Sequence, residues 1–238
     1  MVSGLVGSFV LLRRMALVGD AMSHVALPGL ALALLFSIDP FWGALAFLLA
    51  AAILIWFLEL KTRLPIESVV GILFTASLAL GILFIPNTEI LESLFGSFTT
   101  LSTGSLILVI LASLSAAAAI IVISRHLLLY TLSQELAAVN KNTKYFNLIF
   151  LLIFSLVVAL GIKLVGALLM GALTIIPASV ARHISRSMVF YIISSSLIGA
   201  FIAAVGILLS WYFLIIPGPV IILTGIALFG LSFLVRRI

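Results

Sequence analysis

The sequence predicts an all-α protein that crosses a membrane several times as a bundle of packed helices. Of its 238 residues, 65% are hydrophobic and 8% are charged, whereas soluble domains have about half and about a quarter. A soluble core of this size would need a polar shell, which 12 basic and 7 acidic side chains cannot build. Lipid must therefore cover the outside of the bundle, in agreement with a mean hydropathy of +1.47.

The apolar runs predict eight full spans and one short fragment, since crossing the hydrocarbon core takes about 20 helical residues. The fragment, Val2–Leu12, is too short to cross at ~1.5 Å per residue. We expect its helix either to start further upstream or to dip into the membrane without crossing. The predicted full spans are 15–37, 41–60, 66–85, 105–124, 145–162, 164–181, 188–214 and 220–235.

The basic residues predict the orientation of these spans, because short cytoplasmic loops are enriched in Lys and Arg. On the opposite side lie Asp39, Glu89, Glu92 and one basic residue, Lys163. All other basic residues fall on one side: Arg13, Arg14, Lys61, Arg63, Arg125, Lys141, Lys144, Arg182, Arg186, Arg236 and Arg237. The sequence thus predicts a multi-pass protein of the cytoplasmic membrane with a cytoplasmic C-terminus.

Several function classes are excluded or disfavoured by the same sequence. The net charge of +5 does not indicate a nucleic-acid partner, because the basic residues form no patch with aromatics. The absence of cysteine excludes thiolate sites, so any metal must meet oxygen or nitrogen ligands. The chain has no Gly-x-x-x-x-Gly-Lys-Ser/Thr and no His-Glu-x-x-His motif. It is therefore expected to be no enzyme and to bind no ATP through a P-loop.

The most informative residues are Asp20 and His24, four positions apart in the first full span. On a helix this spacing places both side chains on one face, where a carboxylate and an imidazole can ligate one ion. Counted from Arg14 they lie about 9 Å and about 15 Å into the membrane. Ionisable groups at such depth are functional-site candidates, although a buried Asp–His hydrogen bond between helices is the alternative. His126 and His183, each beside an arginine, are interpreted as solvated surface residues.

Two prolines interrupt predicted spans and are candidates for a gate or a packing kink. Pro28, followed by Gly29, has no N–H for the carbonyl of His24, which would leave a free oxygen beside the Asp20–His24 pair. Pro177 likewise leaves the carbonyl of Leu173 without its helical partner.

The segment 131–140 predicts a short helix on the cytoplasmic side. Thr131 with Gln134 fits a capping box, and Asn140 tolerates the left-handed conformation that ends many helices. From the residues alone, an ordinary connecting helix remains an open alternative.

Six segments of the chain, in the same order, resemble those of the zinc- and manganese-type metal permeases of bacterial ABC importers. The resemblance extends over essentially the whole chain. Its segments are 7–9 with 13–15, the run GDAMSH at 19–24 with Pro28 and Gly29, 67–71, 94–97, 135–137, and 165–168 leading into 175–182.

The resemblance implies a permease of the type II ABC importer kind for zinc, manganese or iron, with no tightly bound cofactor. It implies a homodimer on two separate ABC ATPase subunits, supplied by an extracytoplasmic metal-binding protein. Asp20 and His24 would line the metal path. The coupling helix to the ATPase would comprise Ser133, Gln134, Glu135, Leu136, Ala137, Ala138 and Asn140. Two departures are the short first span and Asn140, where a glycine is common.

Two other functions remain open from the residues. An ion-coupled secondary transporter would use the same pair as a proton relay and would need no ATPase. An ABC permease for a siderophore or a cobalamin-like cofactor would need a wide cavity, in which a ligand pair at mid-membrane would be superfluous.

Overall fold

The computed structural model describes residues 1–62, 64–84, 103–132 and 143–235, and it is helical in all these ranges. Seven segments of this described part are long and apolar enough to cross a membrane, while α1 and α8 are shorter apolar helices. The helices are α1 (Val2–Leu12), α2 (Ala16–Val25), α3 (Leu27–Leu35), α4 (Pro40–Lys61), α5 (Ile66–Phe84), α6 (Thr103–Leu132), α7 (Thr143–Val165), α8 (Ala167–Ile184), α9 (Met188–Phe213) and α10 (Pro217–Val235). The predicted all-α membrane fold is confirmed.

The difference between eight predicted and seven observed spans arises at α8. The helix before it, α7, continues to Val165, and Gly166 then adopts φ 90° and ψ 163°, which residues with a side chain rarely adopt. This break lies further along the chain than predicted. The helix that follows has 18 residues and ends with Arg182 and His183 in its last turn.

The first full span is divided into two helices. Val25 ends α2, Ala26 joins the helices, and α3 begins at Leu27 with Pro28 in its first turn. Proline is well placed there because the first turn of a helix needs no N–H from it. The N–H of Ala26 is directed to the carbonyl of His24, and a free oxygen beside the Asp20–His24 pair stays a prediction.

The helix α1 lies inside the bundle although it is too short to cross it. Its residues from Gly4 to Val10 are all buried. A Cβ at Gly4 would clash with the backbone of Ser195 in α9, and one at Gly7 with the backbone of Thr174 in α8. The hydroxyl of Ser195 also donates a hydrogen bond of 2.6 Å to the carbonyl of Gly4. Small residues thus bring three helix backbones close together, as is common in membrane bundles.

The outside of the bundle is strongly apolar. Exposed fractions reach 78% for Ile82 in α5, 74% for Val122 in α6, 65% for Leu208 in α9 and 81% for Leu234 in α10. Soluble proteins rarely expose apolar surface on this scale. The described part of the chain is therefore a multi-pass membrane protein.

One end of the bundle carries an ion pair that includes Lys163, the basic residue predicted on the side opposite the other basic residues. Asp39 is the N-cap of α4 and accepts a hydrogen bond of 2.8 Å from the N–H of Phe41. The ammonium of Lys163 lies 3.5 Å from the other carboxylate oxygen of Asp39 and 4.9 Å from the centre of the Phe41 ring. Asp39 and Lys163 thus lie at the same end of the bundle, as the predicted topology requires.

Candidate functional site

The span formed by α2 and α3 is the most enclosed one in the described part of the chain. Within its apolar window 72% of the residues are buried, compared with 22 to 50% for the other six spans. Leu17, Asp20 and His24 occupy one face of α2, and this face is open at the surface of the single chain at Leu17 and Asp20. Asp20 thus lies on a central element but at the surface of the chain, while His24 beside it is half-buried.

Asp20 is exposed, and it makes no hydrogen bond or ion pair within the described residues. Its neighbours Gly19 and Ala21 are buried. The helix α8 approaches Asp20 at Gly171, where an added Cβ would lie 2.8 Å from Oδ1 and 2.9 Å from Cα of Asp20. The absence of a side chain at residue 171 is therefore what allows this close contact.

His24 is half-buried, and its ring meets the ring of Phe74 in α5 edge to face. The ring centres are 5.3 Å apart and the planes lie at 72°. Nδ1 of the ring is buried and has no hydrogen-bond partner, so it is free to bind an ion. Histidines that bind metals usually have the second nitrogen held by a hydrogen bond, whereas here the Phe74 contact orients the ring.

The geometry argues against the pair as a purely structural hydrogen bond. In the described part of the chain, no hydrogen bond joins the side chains of Asp20 and His24. The same part of the chain contains no group of three or more His, Cys, Asp or Glu residues that could hold a metal. One chain thus offers two metal-binding side chains at this place, whereas a zinc site usually has about four ligands.

The two candidate gate positions in the α2–α3 span have different surroundings. Pro28 is buried at the start of α3, below the helix break. Gly29 contacts α4 so closely that a Cβ there would clash with the backbone of Gly43 and lie 2.6 Å from Cβ of Phe47. Gly29 therefore serves the packing of α3 on α4, and a gating role for either residue stays a prediction.

Pro177 does not divide its helix as the sequence predicted, whereas its role as a gate or a packing kink stays a prediction. It lies inside α8, which continues to Ile184. It is buried, and its Cγ would lie 3.5 Å from a Cβ added at Gly199 in α9. Prolines are tolerated in membrane helices when neighbouring helices pack around them, and α9 packs against Pro177 at Gly199.

The predicted coupling helix lies almost wholly outside the described residues. Ser133, Gln134, Glu135, Leu136, Ala137, Ala138 and Asn140 all belong to the range 133–142. Thr131 and Leu132 are the last described residues of α6, and the predicted capping box of Thr131 with Gln134 also lies outside the side chains that the structure describes. The helix α6 has 30 residues and is longer than the ~30 Å hydrocarbon core requires.

Of the other two histidines, His126 is exposed, as predicted for a surface residue, whereas His183 is half-buried. The ring of His126 stacks on Phe146 at 4.3 Å between ring centres. His183 lies against the rings of Phe229 and Phe233, and its Nδ1 is 2.9 Å from the hydroxyl of Ser232. Both side chains join neighbouring helices, and neither lies in a group of metal ligands within the described part of the chain.

Comparison with known proteins identifies the family. Residues 1–236 match the model of the ABC 3 transport family. The chain belongs to this family. The membrane fold described above is therefore that of an ABC 3 permease.

Relatives of this ABC 3 permease carry names from metal transport. It is 31% identical to the manganese transport system membrane protein MntC of Listeria monocytogenes, over 98% of this chain and 85% of that protein. It is 32% identical to the high-affinity zinc uptake system membrane protein ZnuB of Haemophilus influenzae, over 97% of this chain and 91% of that protein.

A solved structure has the same fold as this ABC 3 permease. The structure of PsaBC from Streptococcus pneumoniae in complex with Fab matches with a TM-score of 0.81 and 30% identity, over 98% of this chain and 86% of that chain. The bundle described above is thus the fold of an ABC permease, which confirms the family resemblance seen in the sequence.

Sequence reasoning missed two residues that shape the candidate site of this ABC 3 permease, Phe74 and Gly171. Each contacts the Asp20–His24 pair from another helix. A phenylalanine and a glycine within apolar spans give no signal of such a role, because they are ordinary residues of membrane helices.

Proposed function

We propose that this chain is the membrane-spanning permease of an ABC importer that carries manganese or zinc through a site containing Asp20 and His24. The observation that carries the proposal is the unpaired carboxylate of Asp20 on the most enclosed span, one helical turn from the half-buried ring of His24. Relatives named for manganese and zinc transport support the choice of cargo. Carboxylate suits manganese and imidazole suits zinc, so the pair accommodates either ion.

The site is completed by a second copy of the chain. Asp20 points out of the single chain, and the described residues hold no third acidic or histidine ligand beside the pair. Two copies related by a two-fold axis would contribute two carboxylates and two imidazoles. Two carboxylates balance the charge of one dication, so the cargo would cross mid-membrane without net charge, which lowers the cost of its burial.

The energy for transport comes from separate ATPase subunits, because the sequence lacks a P-loop. The coupling segment 133–140 contacts these subunits on the cytoplasmic side, where the C-terminus also lies. A metal-binding protein delivers the ion on the opposite side. ATP binding and hydrolysis then shift the helices so that the pair faces first one side of the membrane and then the other.

The test is metal uptake into proteoliposomes that contain the chain with or without its ATPase partner. We expect radiolabelled manganese or zinc to accumulate only when the ATPase and ATP are both present, and cross-linking to trap a homodimer. Uptake by the chain alone would instead establish a secondary transporter. Uptake of a metal chelate without uptake of the free ion would establish a permease for an organic cofactor.

Replacement of Phe74 by leucine should weaken the uptake of metal without stopping it. An edge-to-face ring contact contributes about 0.5 to 1.5 kcal/mol beyond burial, so the loss of the contact that orients His24 should raise the KM for the ion about two- to ten-fold. The maximal rate should change less. Initial uptake rates at varied metal concentrations give both values.

The matched control is Phe84→Leu, at an exposed phenylalanine at the end of the same helix. It should leave the KM unchanged, and Phe74→Tyr should restore the KM because it keeps the ring. Equal KM values for Phe74→Leu and Phe84→Leu would contradict a positioning role of Phe74.

A further inference from the structure

A polar cluster joins three elements at the predicted cytoplasmic end of the bundle, outside the ligand pair. The side-chain amide of Asn147 in α7 donates a hydrogen bond of 2.5 Å to Oε2 of Glu59 in α4. Asn147 is buried and Glu59 is half-buried. A carboxylate in such a place is costly unless other groups compensate for it.

The compensating cation is Arg13, in the turn between α1 and α2. Its charge attracts Glu59, and its guanidinium lies 5.1 Å from the centre of the Phe150 ring in α7. Asn147 and Phe150 are three residues apart and thus share a face of α7. The turn before α2 is therefore tied to α4 by charge and to α7 by an aromatic face.

The turn itself needs such ties. Arg14 has φ 58°, a left-handed conformation that residues other than glycine keep only where their surroundings hold it. The N–H of Met15 then bonds to the carbonyl of Val10 at 2.9 Å, and the side chain of Met15 is buried. The conformation of this turn sets where α2 begins.

The position of Asp20 follows from the start of α2. Asp20 lies in the second turn of this short helix, so a shift of the Arg13–Arg14 turn carries the carboxylate with it. The helix α7, which holds the other side of the cluster, begins at Thr143, directly after the range that contains the predicted coupling segment.

We propose that Arg13, Glu59 and Asn147 are positioning residues that hold the start of α2, and with it Asp20, in a fixed relation to the first turns of α7. The inference rests on the proposed function and adds a link between the ATPase side and the ligand pair. When α7 moves with the coupling segment, the cluster makes the turn before α2 follow, so that ATP hydrolysis displaces Asp20.

The test measures metal uptake and ATP hydrolysis in the same proteoliposomes that hold the complete transporter. In Glu59→Gln the amide still accepts the hydrogen bond from Asn147, but the charge that faces Arg13 is gone. We expect ATP hydrolysis to persist while the number of ions imported per ATP falls about ten-fold, equivalent to about 1.4 kcal/mol. A cluster that only stabilises the fold would lower the yield and thermal stability and leave ions per ATP unchanged.

An exchange variant tests whether the charge itself matters. Glu59→Gln with Asn147→Asp moves the carboxylate to α7, reverses the hydrogen bond and keeps one negative charge near Arg13. It should restore ions per ATP to within about two-fold of the wild type, since the half-buried cation of Arg13 again has a negative charge beside it. This double variant tests the proposal even if Glu59→Gln alone cannot be purified. If its ions per ATP do not recover, the proposal is overturned.

The matched control is Glu67→Gln, at an exposed carboxylate in the first turn of α5. It should leave ions per ATP unchanged. Equal ratios in Glu59→Gln and Glu67→Gln would also overturn the positioning role. A failure of the proposed function itself has a different signature. In that case Asp20→Asn would import metal normally, independently of the results for the Glu59 and Asn147 variants.

Discussion

Replacement of Asp20 by asparagine is expected to abolish metal import while the protein still inserts and dimerises. Asparagine has the same shape but no charge, so two copies of the variant lose both charges that balance a dication. Loss of a residue that is hydrogen-bonded to a metal ligand lowers metal affinity or activity about 10- to 100-fold. Loss of a carboxylate that binds the ion directly should lower the uptake rate at least about 100-fold. The measurement is the initial rate of radiolabelled manganese or zinc uptake at equal amounts of transporter.

Asp39→Asn is the matched control for this substitution. The side chain of Asp39 is 52% exposed and pairs with Lys163. Both residues lie at the end of the bundle that is predicted to face away from the cytoplasm. Exposed ion pairs contribute about 0 to 1 kcal/mol, and asparagine is also a good N-cap for α4. Uptake by Asp39→Asn should therefore stay within about two-fold of the wild type. Normal uptake by Asp20→Asn would refute the site.

The membrane fold could be predicted from the sequence because it depends on local hydropathy. Apolar runs of about 20 residues form helices, since only a helix satisfies all backbone hydrogen bonds within one segment that is surrounded by lipid. The interruptions were harder to place. Gly166 divides α7 from α8 through its φ of 90°, and the α2–α3 span divides at Ala26, whereas Pro177 leaves α8 continuous.

The shared helix face of Asp20 and His24 could be predicted for the same local reason, because residues four apart lie one above the other on a helix. Their surroundings could not. Phe74 and Gly171 reach the pair from α5 and α8, which are distant along the chain. Asn147 meets Glu59 across 88 residues. Contacts of this kind depend on how helices pack, and the hydropathy of each span does not determine its neighbours.

Replacement of Gly171 by alanine is expected to impair both stability and import, through a single added methyl group. The new Cβ would lie 2.8 Å from Oδ1 and 2.9 Å from Cα of Asp20, closer than real Cβ contacts, so α8 and α2 must move apart. Overpacking of this kind costs about 1 to 3 kcal/mol. A displacement of about 1 Å at a functional group can cost about 100-fold in rate, so we expect import to fall about 10- to 100-fold.

Gly230→Ala separates this contact from the general effect of alanine in a helix. Gly230 in α10 is exposed, and an added Cβ would meet no atom within 4 Å. Alanine favours the helix by about 1 kcal/mol over glycine, so this variant should import metal normally and melt no lower than the wild type. Thermal unfolding and initial uptake rates of both variants decide the matter. If Gly171→Ala matched Gly230→Ala in both measurements, α8 would not determine the position of Asp20, and the metal path would have to be formed by other helices.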